Sequence, residues 1–209
     1  MTKNHLNIKR LKYLETFETH NFKDDKLKMR NLIYNQDLES IQKMIDDGYD
    51  INMTDNYNNN CLDIAYLYRR YDIFKFFFNL GANVNNVEIF TINDGETLLY
   101  KIVRNISIKY FDLLITSDDL DIDYSGEKIP ALFLAIKKLY ITNSKKLYHI
   151  IISLIEKDAK LYFKNAEINL NFFNMLLEID LEFFNKLKKI FPDKYQEYLK
   201  QKQIKKFKI

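Results

Sequence analysis

Cys61 and three histidines, His5, His20 and His149, are the residue types from which a thiol nucleophile and its base would be drawn. They lie far apart in sequence, and Cys61 sits among apolar neighbours. A buried, small apolar role suits it better than catalysis. The run Asp119-x-Asp121-x-Asp123 has the spacing of oxygen ligands for a hard cation. A calcium loop of that type then needs glycine directly after the third carboxylate and glutamate at its twelfth place. Tyr124 and Pro130 stand there instead, so the segment reads as a polar hairpin. The acidic pairs Asp24-Asp25, Asp46-Asp47 and Asp118-Asp119 are the raw material of paired carboxylate chemistry, but their places suit helix caps. No glycine-rich phosphate loop, HExxH or GxSxG is present. The expectation is no catalytic residue, no metal site, no cofactor and no enzyme.

The sharpest local charge is at the C-terminal end. Lys194, Lys200, Lys202, Lys205, Lys206 and Lys208 face only Glu197 after Asp193. Two readings are open. Lys200, Lys202, Lys205, Lys206 and Lys208 could contact nucleic acid. Alternatively, a solvated helix with Tyr195, Tyr198, Leu199 and Ile204 on its apolar side caps the chain, lysine stems covering its neighbour.

These residues need a scaffold, and composition narrows it. The 209 residues are 47% apolar, enough for a substantial core, and net charge is only +3. One cysteine excludes an internal disulfide framework. Four glycines and two prolines speak against a many-turned β-sandwich. The first residues carry charges throughout and no apolar run of leader length, and no stretch approaches the ~20 apolar residues of a spanning helix. A cytoplasmic protein without a membrane partner is expected. Lysine outnumbers arginine 27 to 5, which fits AT-rich coding and carries no mechanism.

Spacing reveals repeats. Gly48 and Gly81 lie 33 residues apart, and that offset places Leu38 on Tyr71, Ile41 on Phe74, Met44 on Phe77 and Ile51 on Val84. The same offset places Leu99 on Leu132 and Val103 on Ile136, while Leu62 to Leu99 is stretched to 37 residues. Some four residues are therefore inserted near Val87–Thr91. Leu38, Ile41, Met44 and Ile45 mark one apolar helix face, closed by Gly48. A shorter apolar stretch precedes each such face. The unit is helix, turn, helix, glycine, polar loop. One helix pair cannot bury its own apolar side, so several must stack.

Asp55-Asn-Tyr-Asn-Asn-Asn60-Cys-Leu62-Asp-Ile-Ala65, ending in Leu80-Gly-Ala-Asn-Val-Asn85, resembles the ankyrin repeat, with each anchor of that family at its expected spacing. Asp94-Gly95-Glu96-Thr97 restarts the motif, Ile129-Pro130-Ala131-Leu132 starts it again, and Glu156–Leu161 is similar to its worn end, with Asp158 in a glycine slot. Three departures matter. Asn58 replaces the turn glycine, Cys61 the proline, and Asp63 the histidine that hydrogen-bonds the turn. The resemblance implies an all-α solenoid of four to five helix–turn–helix units with short hairpin loops and helical caps. The divisions are 1–21 as an N-terminal cap, repeats at 22–54, 55–91, 92–123 and 124–162, a degenerate pair at 166–191, and a basic helix at 192–209. The fourth repeat carries an insertion near Ile141–Lys146.

The resemblance also implies where a partner binds, namely on the concave face of hairpin tips and first helices. Carried over position by position, the tips are Asn56, Tyr57 and Asn59, then Asn93 and Glu96, then Tyr124 and Glu127. The first-helix positions are Leu67 and Tyr68, Arg104 and Asn105, and Lys137 and Lys138. Tyrosine and arginine combine contact area with a polar handle. The expected function is non-catalytic protein–protein binding, in a sharper form the occlusion of an enzyme, toxin or defence factor. A nucleic-acid-associated protein using the lysine-rich end is the alternative.

Overall fold

The computed structural model describes residues 22–88, 95–124, 128–164 and 169–206. The expected N-terminal cap (1–21) and the site candidates Asn93, Glu127 and Lys208 lie outside these residues. Two compact units divide the chain, one up to Phe90 and one from Thr91.

In the first unit, α1 (Phe22–Asn35) packs on α2 (Leu38–Asp46) and α3 (Cys61–Leu67), and α3 packs on α4 (Tyr71–Asn79). The core is the apolar stripe legible in the sequence: Met29, Ile33, Ile41, Met44, Leu62, Ala65, Phe74 and Phe77 are buried. Each full burial of this kind contributes about 1.5–3 kcal/mol. Local signals set the ends. Asp37 caps α2 by accepting the Ser40 amide at 3.0 Å. Gly48 closes it at φ 101°, with Tyr49 N–H donating to Met44 at 2.9 Å. Gly81 closes α4 in the same way at φ 79°. A side chain there would meet no atom within 4 Å, so glycine serves the backbone and not space.

The joint between paired helices carries no such sequence mark. Gln36, Arg69, Ile106 and Asn143 all take positive φ, between 48° and 61°, at the first-to-second-helix turn. None is glycine. Such a residue costs about 1–2 kcal/mol relative to a relaxed one, most for branched Ile106.

The hairpin before α3 is built by carboxylate and amide side chains. Asp55 Oδ1 accepts the amides of Tyr57 and Asn59, both at 2.9 Å, and Asn58 turns the chain at φ 62°. Asn58 therefore occupies the glycine slot in glycine's own conformation, which asparagine tolerates better than most residues. Asn60 and Asp63 then close a capping box on α3, at 3.0 and 3.3 Å. Asn86 Nδ2 donates to Asp63 Oδ2 at 2.9 Å and to Asn58 O, while Asn60 Nδ2 reaches Asn83 O at 2.8 Å. Asn83 N–H donates to Asn52 Oδ1 at 2.8 Å. Asp63 thus holds successive hairpins together from the family's histidine position.

In the second unit, α5 (Leu98–Arg104) pairs with α6 (Ile108–Leu114), and α7 (Ala131–Thr142) with α8 (Lys146–Glu156). Thr97 caps α5 by accepting the Tyr100 amide. α7 has 12 residues against 7 in α5, and left-handed Asn143 ends it. The extra residues of this repeat therefore lengthen a helix before they enter a loop. Asp158 takes φ 63° in its glycine slot. A hairpin of β1 (Tyr162–Lys164) and β2 (Asn169–Asn171) follows, with Phe163 opposite Leu170. α9 (Phe172–Ile179) and α10 (Leu181–Ile190) meet at Asp180, which ends one and caps the other through the Phe183 amide at 2.9 Å. α9 packs on α7, and α11 (Pro192–Lys206) packs on α10. Among the described residues no helix is long and apolar enough to cross a membrane.

Candidate functional site

The first unit gathers an arginine–tyrosine cluster at the ends of α1 and α3. Arg30 Nε donates to Tyr68 Oη at 2.6 Å, and its guanidinium lies 5.5 Å from the Tyr68 ring centre. Arg30 NH1 also pairs with Asp55 Oδ2 at 3.1 Å. The Tyr68 hydrogen bond, opposed by burial, raises the Arg30 pKa further. Tyr34 meets Tyr68 edge to face at 5.3 Å, and Arg70 covers the other ring, 5.3 Å from the Tyr34 centre. The sequence arranges this simply: Leu27, Arg30 and Tyr34 recur at i, i+3 and i+7 on α1, opposite buried Met29 and Ile33. Tyr34 is 55% exposed, Tyr57 48% and Leu67 40%, a large outward apolar area for three residues on fixed elements.

Several expected contacts fall at this surface. Asn56, Tyr57 and Leu67 are exposed and Tyr68 is half-buried at the centre of the cluster. Asn59 is a correction: it is 1% exposed, its amide Nδ2 turned in to Asp55 at 3.3 Å, so it builds the hairpin and cannot meet a partner. Arg30, Tyr34 and Arg70 are members of the cluster that the repeat positions do not single out. Two signals point to them. The 33-residue offset carries Tyr34 onto Leu67, and three of the chain's five arginines are Arg30, Arg69 and Arg70.

In the second unit, Glu96 and Arg104 come together as an ion pair. Its charges screen each other, and its exposed position makes it worth little to stability. Asn105 is exposed and caps α5, its amide donating to Lys101 O at 3.1 Å. Tyr124 is 46% exposed, above a turn in which Asp121 Oδ1 accepts its amide at 3.0 Å. Lys137 is exposed and Lys138 half-buried on α7. The Asp119–Asp123 run works as loop scaffold: Asp123 accepts the Lys160 amide at 2.9 Å. Among the described residues no cluster of three or more metal-ligating side chains occurs.

Cys61 is buried, and desolvation pushes its thiol up to about 12. Thiolate chemistry is out of its reach at neutral pH. His149 is engaged elsewhere, 2.6 Å from Asp112 and edge-on to Phe111.

The C-terminal helix is a packed element in its first half. Tyr198 is buried, its hydroxyl on Asn174 Oδ1 at 2.8 Å, and Tyr195 and Tyr198 close on the Phe173 ring at 5.6 and 5.1 Å. Lys188 caps the Phe184 and Tyr195 rings. Lys194 pairs with Asp158 at 2.6 Å and holds that carboxyl below its usual range. Of the remaining lysines Lys200 is exposed, and Lys202, Lys205 and Lys206 lie on the last turns of α11.

No family model matches the chain, and no curated protein matches it. Solved structures do. EF0377, an ankyrin repeat protein, superposes with a TM-score of 0.56 at 19% identity, covering 79% of each chain. A chain in the complex of the Bd0816 predatory endopeptidase from Bdellovibrio bacteriovorus with immunity protein Bd3460 does so with a TM-score of 0.55 at 18% identity, covering 76% of this chain and 79% of that one. Helix pairs closed by left-handed residues, hairpins tied by Asp55 and Asp63, and these superpositions agree on one conclusion: the chain has the ankyrin-repeat fold.

Proposed function

We propose that this protein is a non-catalytic binding module that recognises a protein partner and inhibits it by occlusion. The observation that carries the reading is the outward tyrosine surface of the first unit. Tyr34 and Tyr57 stay about half exposed, while Ile33 and Asn59 close to them in the chain are buried. Large aromatic rings with polar tips, held on rigid helices and a braced hairpin, match the make-up of interface hot spots. The rigidity lowers the ordering cost of association. In the second unit the candidate contacts are Glu96, Arg104, Asn105, Tyr124, Lys137 and Lys138. The inhibitory role draws on the endopeptidase that accompanies an immunity protein in one structural neighbour. It is a reading of fold likeness joined to surface chemistry, since fold alone does not set function. Action in the cytoplasm is part of the proposal.

The test is affinity capture with tagged full-length protein from native lysate, nuclease-treated, followed by an activity assay on whatever enzyme is recovered. One stoichiometric protein whose activity falls on adding the chain supports the reading. Equal recovery by a folded Tyr57→Ala/Tyr68→Ala/Arg104→Ala variant overturns the assigned surface. A recovered enzyme left fully active overturns the inhibitory role.

A further inference from the structure

Arg70 stands apart from the paired arginines of the two units. Arg30 has Asp55, and Arg104 has Glu96. The Arg70 side chain pairs with no carboxylate among the described residues, although Asp72 is only two residues away. Its Nε is buried without an acceptor, while the residue as a whole stays partly open to water. The guanidinium is held by the Tyr34 ring, 5.3 Å from its centre, so its place is fixed before any ligand arrives. Its exposed neighbour Arg69 likewise pairs with no carboxylate among the described residues. Arg30, Asp55, Arg69 and Arg70 together leave two positive charges beside exposed Tyr34 and Leu67.

A planar guanidinium fixed on an aromatic ring, with its bidentate edge unused, is the geometry that receives a carboxylate. With Nε buried, the terminal NH1 and NH2 groups are the edge that an incoming carboxylate would meet. We propose that the Arg70–Tyr34 pair is the anchor for an acidic side chain, Asp or Glu, presented by the protein partner next to an apolar group that covers Tyr34 and Leu67. The inference rests on the protein-binding reading above and names the chemistry of its target: an acidic, aliphatic or aromatic surface loop. The occupant follows from the Arg70 guanidinium, which pairs with no carboxylate among the described residues, set beside the outward apolar surface of Tyr34 and Leu67.

The experiment is selection of a displayed random-peptide library on the full-length wild-type chain, followed by affinities of the selected peptides and their Asp/Glu→Asn/Gln counterparts. Selected peptides should be enriched in Asp and Glu. Their affinity should fall about tenfold or more in Arg70→Gln and on amidating the acidic residue, and less in Arg70→Lys, which keeps charge without the planar fork. Lys186→Gln, at an exposed cation of α10 outside the candidate contacts, should leave it unchanged. Tyr34→Ala should weaken it and Tyr34→Phe should not, which keeps the test open if Arg70→Gln unfolds. Peptides without acidic enrichment, or affinity unchanged in Arg70→Gln and Tyr34→Ala, overturn the inference. So does single-stranded DNA that binds the wild-type chain and loses affinity in Arg70→Gln while no acidic peptide is selected. A protein target captured at full strength by Arg70→Gln leaves the binding-module reading standing and overturns only the acidic anchor. Acidic peptides selected as expected, with a captured enzyme left active, overturn only the inhibitory role.

Discussion

Two aromatic groups are used in opposite ways, one in the arginine–tyrosine cluster of the first unit and one in the last helices of the second. In the first, Tyr34 and Tyr57 point outward and Tyr68 is held at the surface by Arg30. In the second, the last helices turn theirs inward: Phe172, Phe173, Phe184, Tyr195 and Tyr198 interlock edge to face or tilted, with ring centres 5.1 to 6.0 Å apart. The apolar face of a helix pair needs a neighbouring element to cover it. α11 supplies that cover. Composition alone does not separate the two uses, because tyrosine is common in both. What separates them is whether a following helix exists to close over the ring.

The comparison can be broken from either side. The largest effect is expected from Phe173→Ala, which removes the ring at the centre of the C-terminal cluster. A loss of about 3–5 kcal/mol should appear in chemical denaturation. A loss as large from Tyr34→Ala would erase the distinction between inward and outward rings. The expectation there is a change within about 0.5 kcal/mol, as for surface positions generally.

Next in size is the side-chain brace of the first unit. Asp63→Ala leaves Asn86 and the Asn60 amide without their acceptor and should cost about 1–3 kcal/mol, read from the same denaturation curves. Smaller again is the backbone. Gly48→Ala at φ 101° should destabilise by about 1–2 kcal/mol without any clash, whereas Arg69→Gly at φ 57° should stabilise by up to about 1 kcal/mol.

At neutral pH the smallest expected effect is titration, which shows only as a slope at alkaline pH. The Cys61 thiol, ordinarily at 9.0, stands at about 12 in the fold because burial disfavours the thiolate. A raised value means the folded state holds its proton longer. That contribution is full below the unfolded value and is lost as pH rises from about 9 towards 12. Buried Tyr49, also raised by desolvation, adds in the same direction. Cys61→Ala should flatten the alkaline decline in denaturation midpoint between these limits.

Much of the fold is legible in the sequence because two glycines fall 33 residues apart at helix ends, where the backbone tolerates little else. The left-handed joints at Gln36, Arg69 and Ile106 are not legible, since no residue preference marks them; packing of the paired helices imposes the conformation against local cost. The proposed binding surface is legible in part. Tyr57, Leu67 and Tyr68 follow from repeat position. Asn59 misleads because a hairpin-tip asparagine reads the same whether it faces solvent or folds back onto Asp55. Arg70 escapes a reading by repeat position because the proposed anchor rests on its missing carboxylate partner, which only the surrounding geometry reveals.

The central claim is that the outward tyrosines serve recognition and not stability. The most direct measurement compares a folded Tyr34→Ala/Tyr57→Ala variant with the wild-type chain in both denaturation and quantitative capture of the partner. The account predicts matched denaturation midpoints and loss of the captured protein. Unchanged capture at matched stability, or a fall in stability large enough to explain the loss, would contradict it.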